Sequence, residues 1–237
     1  MKQDTTLLLL LLVIALGLMV LFFRWLFRKA EAANLADWGS KWQNRIDGLN
    51  RLFLRNYHKC QIEPVPLPQE GPALVVANHI SGLDPMLMIA ACQRPVHFII
   101  AAEQYYRFGL NWLFRLSGCI PVDRSSRDDS AFQAALQALQ EGKVVGLFPE
   151  GGMHQPGKGP KRLKRGVARL AKLSGSPVYP MHVSGVSLPG HVLPAVIWPN
   201  QASLQSHPAV DCAVLEEREC LEQLAQILKN SEPQATK

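Results

Sequence analysis

The stretch Ala73–Pro85 reads Ala-Leu-Val-Val-Ala-Asn-His-Ile-Ser-Gly-Leu-Asp-Pro, and the rest of the chain is organised around it. Its first part, Leu74–Ala77, is a short apolar run with two β-branched residues, the pattern of a buried strand. The run stops at Asn78, and Ser81-Gly82 supplies a turn. Asp84-Pro85 then reads as a helix start, with Asp84 as N-cap and Pro85 at the first helical position. His79 therefore stands at the carboxyl end of a strand, the edge where open α/β sheets hold their ligands. A carboxylate five residues further on can reach back to one imidazole nitrogen. That fixes the tautomer and leaves the other nitrogen free to accept a proton.

Downstream, strand and helix patterns alternate. Strands are expected at Leu74–Ala77, His97–Ala101, Val144–Phe148 and Val178–Val183, with further strands at Val192–Trp198 and Val210–Leu215. Helices are expected at Pro85–Cys92, Phe108–Ser117, Ser130–Gln140, Leu163–Leu173 and Glu216–Lys229. Such alternation predicts an α/β fold, a mainly parallel sheet flanked by helices. The domain is expected over residues 73–229, with a tail at 230–237.

Two segments precede the domain. Leu7–Phe23 is an uncharged, almost wholly apolar run of 17 residues, and with its flanks it reaches the roughly 20 residues that a bilayer demands. A cleavable signal peptide competes with this reading. Arg24, Arg28 and Lys29, which follow the run at once, favour a retained anchor at 1–29 and a cytoplasmic domain, at the inner membrane in a bacterium. Glu31–Tyr57 is expected as one amphipathic helix, since Leu35, Trp38, Trp42, Ile46, Leu49 and Phe53 recur every three or four residues. Its stripe suits either the headgroup region or the domain. Pro64, Pro66, Pro68 and Gly71-Pro72 complete a linker, so residues 30–72 form an amphipathic helix and a Pro-rich connection.

The net charge of +6 calls for an anionic partner without choosing among nucleic acid, a phosphorylated substrate and a membrane surface. Five cysteines without a Cys-x-x-Cys pair predict neither a disulfide framework nor a zinc site, and a reducing compartment is the simpler expectation. No His-x-x-x-His spacing and no Gly-x-Ser-x-Gly elbow occur, which disfavours zinc and serine-hydrolase chemistry.

Four short blocks follow one another. Asn78–Pro85 is the first. Ser117–Arg124 ends in Asp123-Arg124, and an Arg fork can bond two phosphate oxygens at once. Phe148-Pro149-Glu150-Gly151 follows an apolar strand, and Gly152-Met153-His154 comes next. Lys158, Lys161, Arg162, Lys164 and Arg165 then crowd into eight residues, before Gly166 opens a helix. Val178-Tyr179-Pro180-Met181 is the fourth block. In order and spacing these blocks resemble those of the glycerolipid acyltransferases, the family of 1-acylglycerol-3-phosphate acyltransferase. The chain departs from the family pattern after the third block, where Thr-Arg-Ser is usual and Gly152-Met153-His154 stands here.

The resemblance implies a fatty acyl transfer from acyl-CoA or acyl carrier protein to the hydroxyl of a lysophospholipid, first of all lysophosphatidate. No metal, no further cofactor and no nucleic acid are implied. His79 and Asp84 would be catalytic, and Asn78, Arg124, Glu150, Gly151, Lys164 and Arg165 would bind substrate. Backbone N–H groups near Gly151 would face the developing oxyanion. Another lysolipid, such as a lyso-aminolipid, and a membrane-tethered lipid or acyl-carrier binder without activity stay open.

Overall fold

The structure is a computed structural model that describes residues 2–107, 109, 111–123, 129–155, 157, 159 and 161–229, with the side chains of 2–6 left aside. The tail at 230–237 lies outside the described residues. The chain runs α1 (Lys2–Ala33), α2 (Lys41–Asn56), β1 (Gln61–Ile62), β2 (Ala73–Ala77), α3 (Asp84–Ala91), β3 (Val96–Ala101), α4 (Ala102–Tyr105) and α5 (Asn111–Leu116). It continues with β4 (Ile120–Val122), α6 (Ser130–Gln140), β5 (Val144–Leu147), α7 (Gly166–Ser174), β6 (Val178–Ser184), α8 (Leu193–Ile197), β7 (Ser203–Ser206) and α9 (Glu217–Lys229).

One sheet carries the described domain, in the order β1-β7-β6-β2-β5-β3-β4. Neighbours are parallel except β6 and β7. β2 is central, and all five of its residues are buried. Its pleat splits them between two cores. Ala73, Val75 and Ala77 join Leu54, Leu83, Leu87 and Met88 on one face. Leu74 and Val76 join Ala135, Leu139, Val167, Leu170 and Leu224 on the other. A strand covered on both faces has no polar side, which is why it reads as an unbroken apolar run. The carboxyl ends of β2, β5, β3 and β4 share one edge of the sheet, so Asn78, Phe148 and Asp123 emerge there.

Several expectations are corrected. Glu31–Tyr57 is not one helix: α1 runs on to Ala33, the chain breaks, and α2 starts at Lys41. Ser40 is the N-cap, with the Gln43 N–H donating to Ser40 Oγ and Ser40 Oγ–H donating to Gln43 Oε1. Val192–Trp198 is not a strand, because Pro194 sits in the first turn of α8. Val210 makes an isolated bridge to Val178, and no strand covers 210–215. Cys212 and Cys220 are joined in a disulfide, while Cys60, Cys92 and Cys119 are free. β1, β4 and β7 were not expected.

α1 holds a 27-residue stretch, Leu7–Ala33, long and apolar enough to cross a membrane. Its apolar side chains from Leu7 to Phe23 stand exposed on the protein. α2 packs against its end so closely that a Cβ on Gly48 would overlap the Ala30 carbonyl oxygen. α2 also docks on the domain. Arg51, paired with Asp47, donates to the carbonyls of Ile89, Ala90 and Cys92 and so caps the carboxyl end of α3.

Candidate active site

α3 carries Asp84 as its first residue, and the N-cap position belongs to Leu83. The expected N-cap role of Asp84 is thus corrected: its carboxylate turns back over the preceding loop. Oδ2 accepts from the backbone N–H of Ile80 (2.6 Å) and Ser81 (2.8 Å) and faces His79 Nδ1 at 2.8 Å. Oδ1 accepts from the Ser81 hydroxyl at 2.6 Å. Asp84 is fully buried, and this set of donors compensates the desolvation of its charge. Acceptance by the carboxylate puts the proton of His79 on Nδ1 and leaves Nε2 with its lone pair. The sequence marks Ser81 only as a turn residue, although a Ser three residues before an Asp is a common local hydrogen-bonding pair.

His79 is held from two more sides. Its ring lies flat on Phe148, with centroids 4.0 Å apart. Its carbonyl accepts the His154 N–H at 2.6 Å. The loop after β5 therefore crosses the end of β2, and residues 79 and 148 meet because β2 and β5 are neighbours. On the far side, the Gly82 N–H donates to the His191 carbonyl and the Gly190 N–H to the Ile80 carbonyl. A Cβ on Gly82 would overlap the Val192 carbonyl, so only glycine admits this approach.

Glu150 lies at the same edge. Burial pushes its carboxyl above the usual range, against the pull of His154, Lys161 and His79. Its Oε2 is buried with no hydrogen-bond partner. Gly151 has φ +72°, and a Cβ there would strike the Lys164 side chain, which lies over it. The Lys164 N–H donates to the Pro149 carbonyl at 2.8 Å. The Gly151 N–H donates to Phe148 O and closes the turn, so that one N–H is not a free oxyanion donor. Lys161 Nζ reaches the Gly152 and Met153 carbonyls at 3.3 and 2.9 Å. A cation thus props the loop where the usual family Arg is replaced by Met153.

The remaining expected residues fall differently. Asn78 is buried, and its amide is consumed by β6: Nδ2 donates to Val183 O (2.8 Å) and Oδ1 accepts from Val183 N–H (2.7 Å). It clamps two strand ends. Arg165 is 81% exposed and pairs with Glu217 of α9. Arg124 lies outside the described residues. Among the described residues no group of three or more His, Cys, Asp or Glu side chains is placed to hold a metal ion.

A pair built this way, carboxylate to Nδ1 and Nε2 unoccupied by the carboxylate, can move a proton from a hydroxyl. Known proteins resemble the chain in sequence and in fold. The chain is 26% identical over 169 residues to a 1-acyl-sn-glycerol-3-phosphate acyltransferase of Borreliella burgdorferi, covering 69% of this chain and 66% of that protein. It is 34% identical over 85 residues to a lyso-ornithine lipid O-acyltransferase of Rhodobacter capsulatus, covering 35% and 30%. The chain spans less than two thirds of the length of either relative. The crystal structure of the 1-acyl-sn-glycerophosphate (LPA) acyltransferase of Thermotoga maritima shares the fold, with a TM-score of 0.65 over 81% of both chains at 23% identity. The model of the Acyltransferase family matches residues 60–184. That span is more than half of the chain and takes in the His79–Asp84 turn, Phe148–Gly151 and β6, so the chain belongs to the Acyltransferase family.

Proposed function

We propose that this chain is a membrane-bound O-acyltransferase that moves a fatty acyl group from an acyl thioester to the hydroxyl of a lysophospholipid, lysophosphatidate first, giving phosphatidate. The observation that carries this reading is the His79–Asp84 pair at 2.8 Å at the carboxyl end of β2. The acceptor hydroxyl attacks the thioester carbonyl carbon while its proton passes to His79 Nε2. Asp84 holds the ring and stabilises the imidazolium that forms. The tetrahedral intermediate expels the thiolate, which takes the proton back from His79. No covalent acyl-enzyme is needed. Lys164, laid over Gly151, supplies positive charge beside the turn, and Arg124 is the further proposed phosphate ligand. Acyl-CoA or acyl carrier protein serves as donor.

A second acceptor class has its own support. Met153 removes the usual cation, Lys161 is spent on loop carbonyls, and Glu150 Oε2 has no partner. An acceptor headgroup with an ammonium group, as in a lyso-aminolipid, would be drawn to the Glu150 carboxylate at this edge. Leu7–Ala33 would anchor the enzyme; the positive-inside rule favours residues 73 onward on the cytoplasmic side, and the Cys212–Cys220 disulfide is a feature that argues the other way.

The test is to present the purified full chain with a panel of lysophosphatidate, other lysophospholipids and lyso-ornithine lipid, each with both donors, and to identify the products by mass. Acylated product from one lysolipid class supports the reading, and which class it is decides between the two acceptors. Release of free fatty acid without any acylated lipid would reject it.

A further inference from the structure

We infer that α8 and its flanks form a second membrane-contact patch that seats the catalytic turn on the lipid surface. The inference rests on the membrane-bound reading above and goes beyond it, since that reading places only α1 in the bilayer.

The patch begins in composition. From Leu173 to Val210 the chain has no Asp, Glu, Lys or Arg, although 19% of the whole chain is charged. In the middle of that stretch Val192, Leu193, Ile197 and Trp198 stand 44–63% exposed. Four large apolar side chains side by side on a surface mark a contact site rather than a scatter.

The carbonyl end of α8 is satisfied from within the protein. Four successive carbonyls at the end of α8 are each taken by a side chain. Asn200 Nδ2 donates to Ala195 O (2.8 Å) and Trp198 O (2.7 Å). His58 Nε2 donates to Val196 O (3.0 Å), and Tyr57 Oη donates to Ile197 O (2.7 Å). His58 is fully buried, and its Nδ1 accepts from the Asn200 N–H. These carbonyls are closed off from within the protein, so the outward side of the segment is left to apolar side chains without a charge, which favours a lipid surface over a polar protein surface.

The patch is also continuous with the proposed anchor. Tyr57 and His58, which hold α8, follow directly on α2, and α2 packs on the end of α1. On its other flank the patch abuts the catalytic turn, through Gly82 to His191 and Gly190 to Ile80. A membrane against α8 thus lies one loop away from His79, where a lysolipid can reach the base without leaving the leaflet entirely.

The experiment reconstitutes the full chain in phosphatidylethanolamine–phosphatidylglycerol vesicles with plain or brominated acyl chains. The emission of Trp198 is the difference between the wild type and Trp198→Phe. Bromination is expected to quench that difference at least about twofold, since an interfacial helix buries its apolar face about 5–10 Å into the headgroup and acyl boundary. Leu193→Ser with Ile197→Ser is expected to cut acylation of a long-chain lysolipid held in vesicles by about tenfold. The same variant should leave acylation of a short-chain, water-soluble acceptor unchanged. Trp198 emission indifferent to bromine, while the remaining tryptophan emission is quenched, overturns the patch and leaves the anchor standing. A blue-shifted Trp198 emission that ignores bromine assigns the patch to a protein contact and also overturns it. Loss of quenching everywhere overturns the patch together with the membrane-bound reading. Equal losses with both acceptors, or none with either, overturn it as well. If the wild type acylates no acceptor, the enzymatic reading fails, and the bromine measurement still decides the patch.

Discussion

His79 lies flat on Phe148, with ring planes 14° apart and centroids 4.0 Å apart. Phe148 in turn stacks on Phe98 at 6.0 Å, so the imidazole rests on a small aromatic column rooted in β3 and β5. The column sets the tilt of the ring that Asp84 grips at its edge. It also places the negative face of a phenyl ring against an imidazole that becomes positive as the hydroxyl proton arrives.

Phe148→Leu is therefore expected to lower kcat more than it raises KM. A stacked aromatic pair contributes about 0.5–1.5 kcal/mol, which translates into a loss of roughly 2- to 10-fold. Steady-state kinetics with both substrates check this, and Phe148→Tyr should restore most of the rate. An unchanged kcat in Phe148→Leu would reduce Phe148 to a cover for the core.

Glu150→Gln should separate stability from binding. The ionised carboxylate carries an unpaired buried oxygen, and burial raises its pKa above the ordinary 4.5. A raised folded-state pKa means that the native state binds the proton more tightly. Its contribution is present below pH 4.5 and lost as pH rises through the folded value. The amide avoids that loss, so the variant should melt higher at neutral pH, by about 2–4 °C for each ~1 kcal/mol, and equal the wild type in acid. Its acceptor KM should rise. Thermal scans from pH 4 to 8, run beside acceptor titrations, test both halves, and a lower melting temperature at pH 7 would contradict the account.

Asn78→Ala should unfold the site rather than weaken a substrate contact. It strips both backbone partners of Val183 at a buried position, at about 1–3 kcal/mol for each unsatisfied group. Denaturant titration should show a stability loss of roughly 2–6 kcal/mol, with acceptor and donor KM within about twofold where the protein remains folded. A large rise in KM without loss of stability would return Asn78 to the substrate.

The parts of the fold that were readable in the sequence are those with a local cause. β2, β3, β5 and β6 are apolar because the sheet is covered on both faces, and α6 shows its buried Ala131, Ala135, Ala138 and Leu139 on a helical period. His79 and Asp84 were readable because five residues and one turn separate them. The break before α2 was also written locally, in Ser40 and Gln43, but the apolar stripe across 35–53 hid it. β7 was not readable. Ser203–Ser206 buries only Leu204, and its pairing with β6 and β1 is tertiary. The task of Asn78 was invisible for the same reason, since Val183 lies 105 residues away. α8 misled because its apolar run faces outward. Hydrophobic pattern reports that a face is sheltered from water, and it does not distinguish a protein core from another apolar medium.

The central claim is that His79 and Asp84 act together as one base. The direct measurement is the initial rate of thiol release from acyl-CoA with a lysolipid acceptor, for His79→Ala, Asp84→Asn and the double variant, with thermal unfolding alongside. His79→Ala should lose about 10²–10⁴-fold and keep a measurable residue of activity. Asp84→Asn should fall steeply too, because an amide favours the wrong tautomer and cannot stabilise the imidazolium. The double variant should be little slower than His79→Ala. Single losses that multiply in the double variant would mean two independent roles, and full activity in a folded His79→Ala would contradict the account outright.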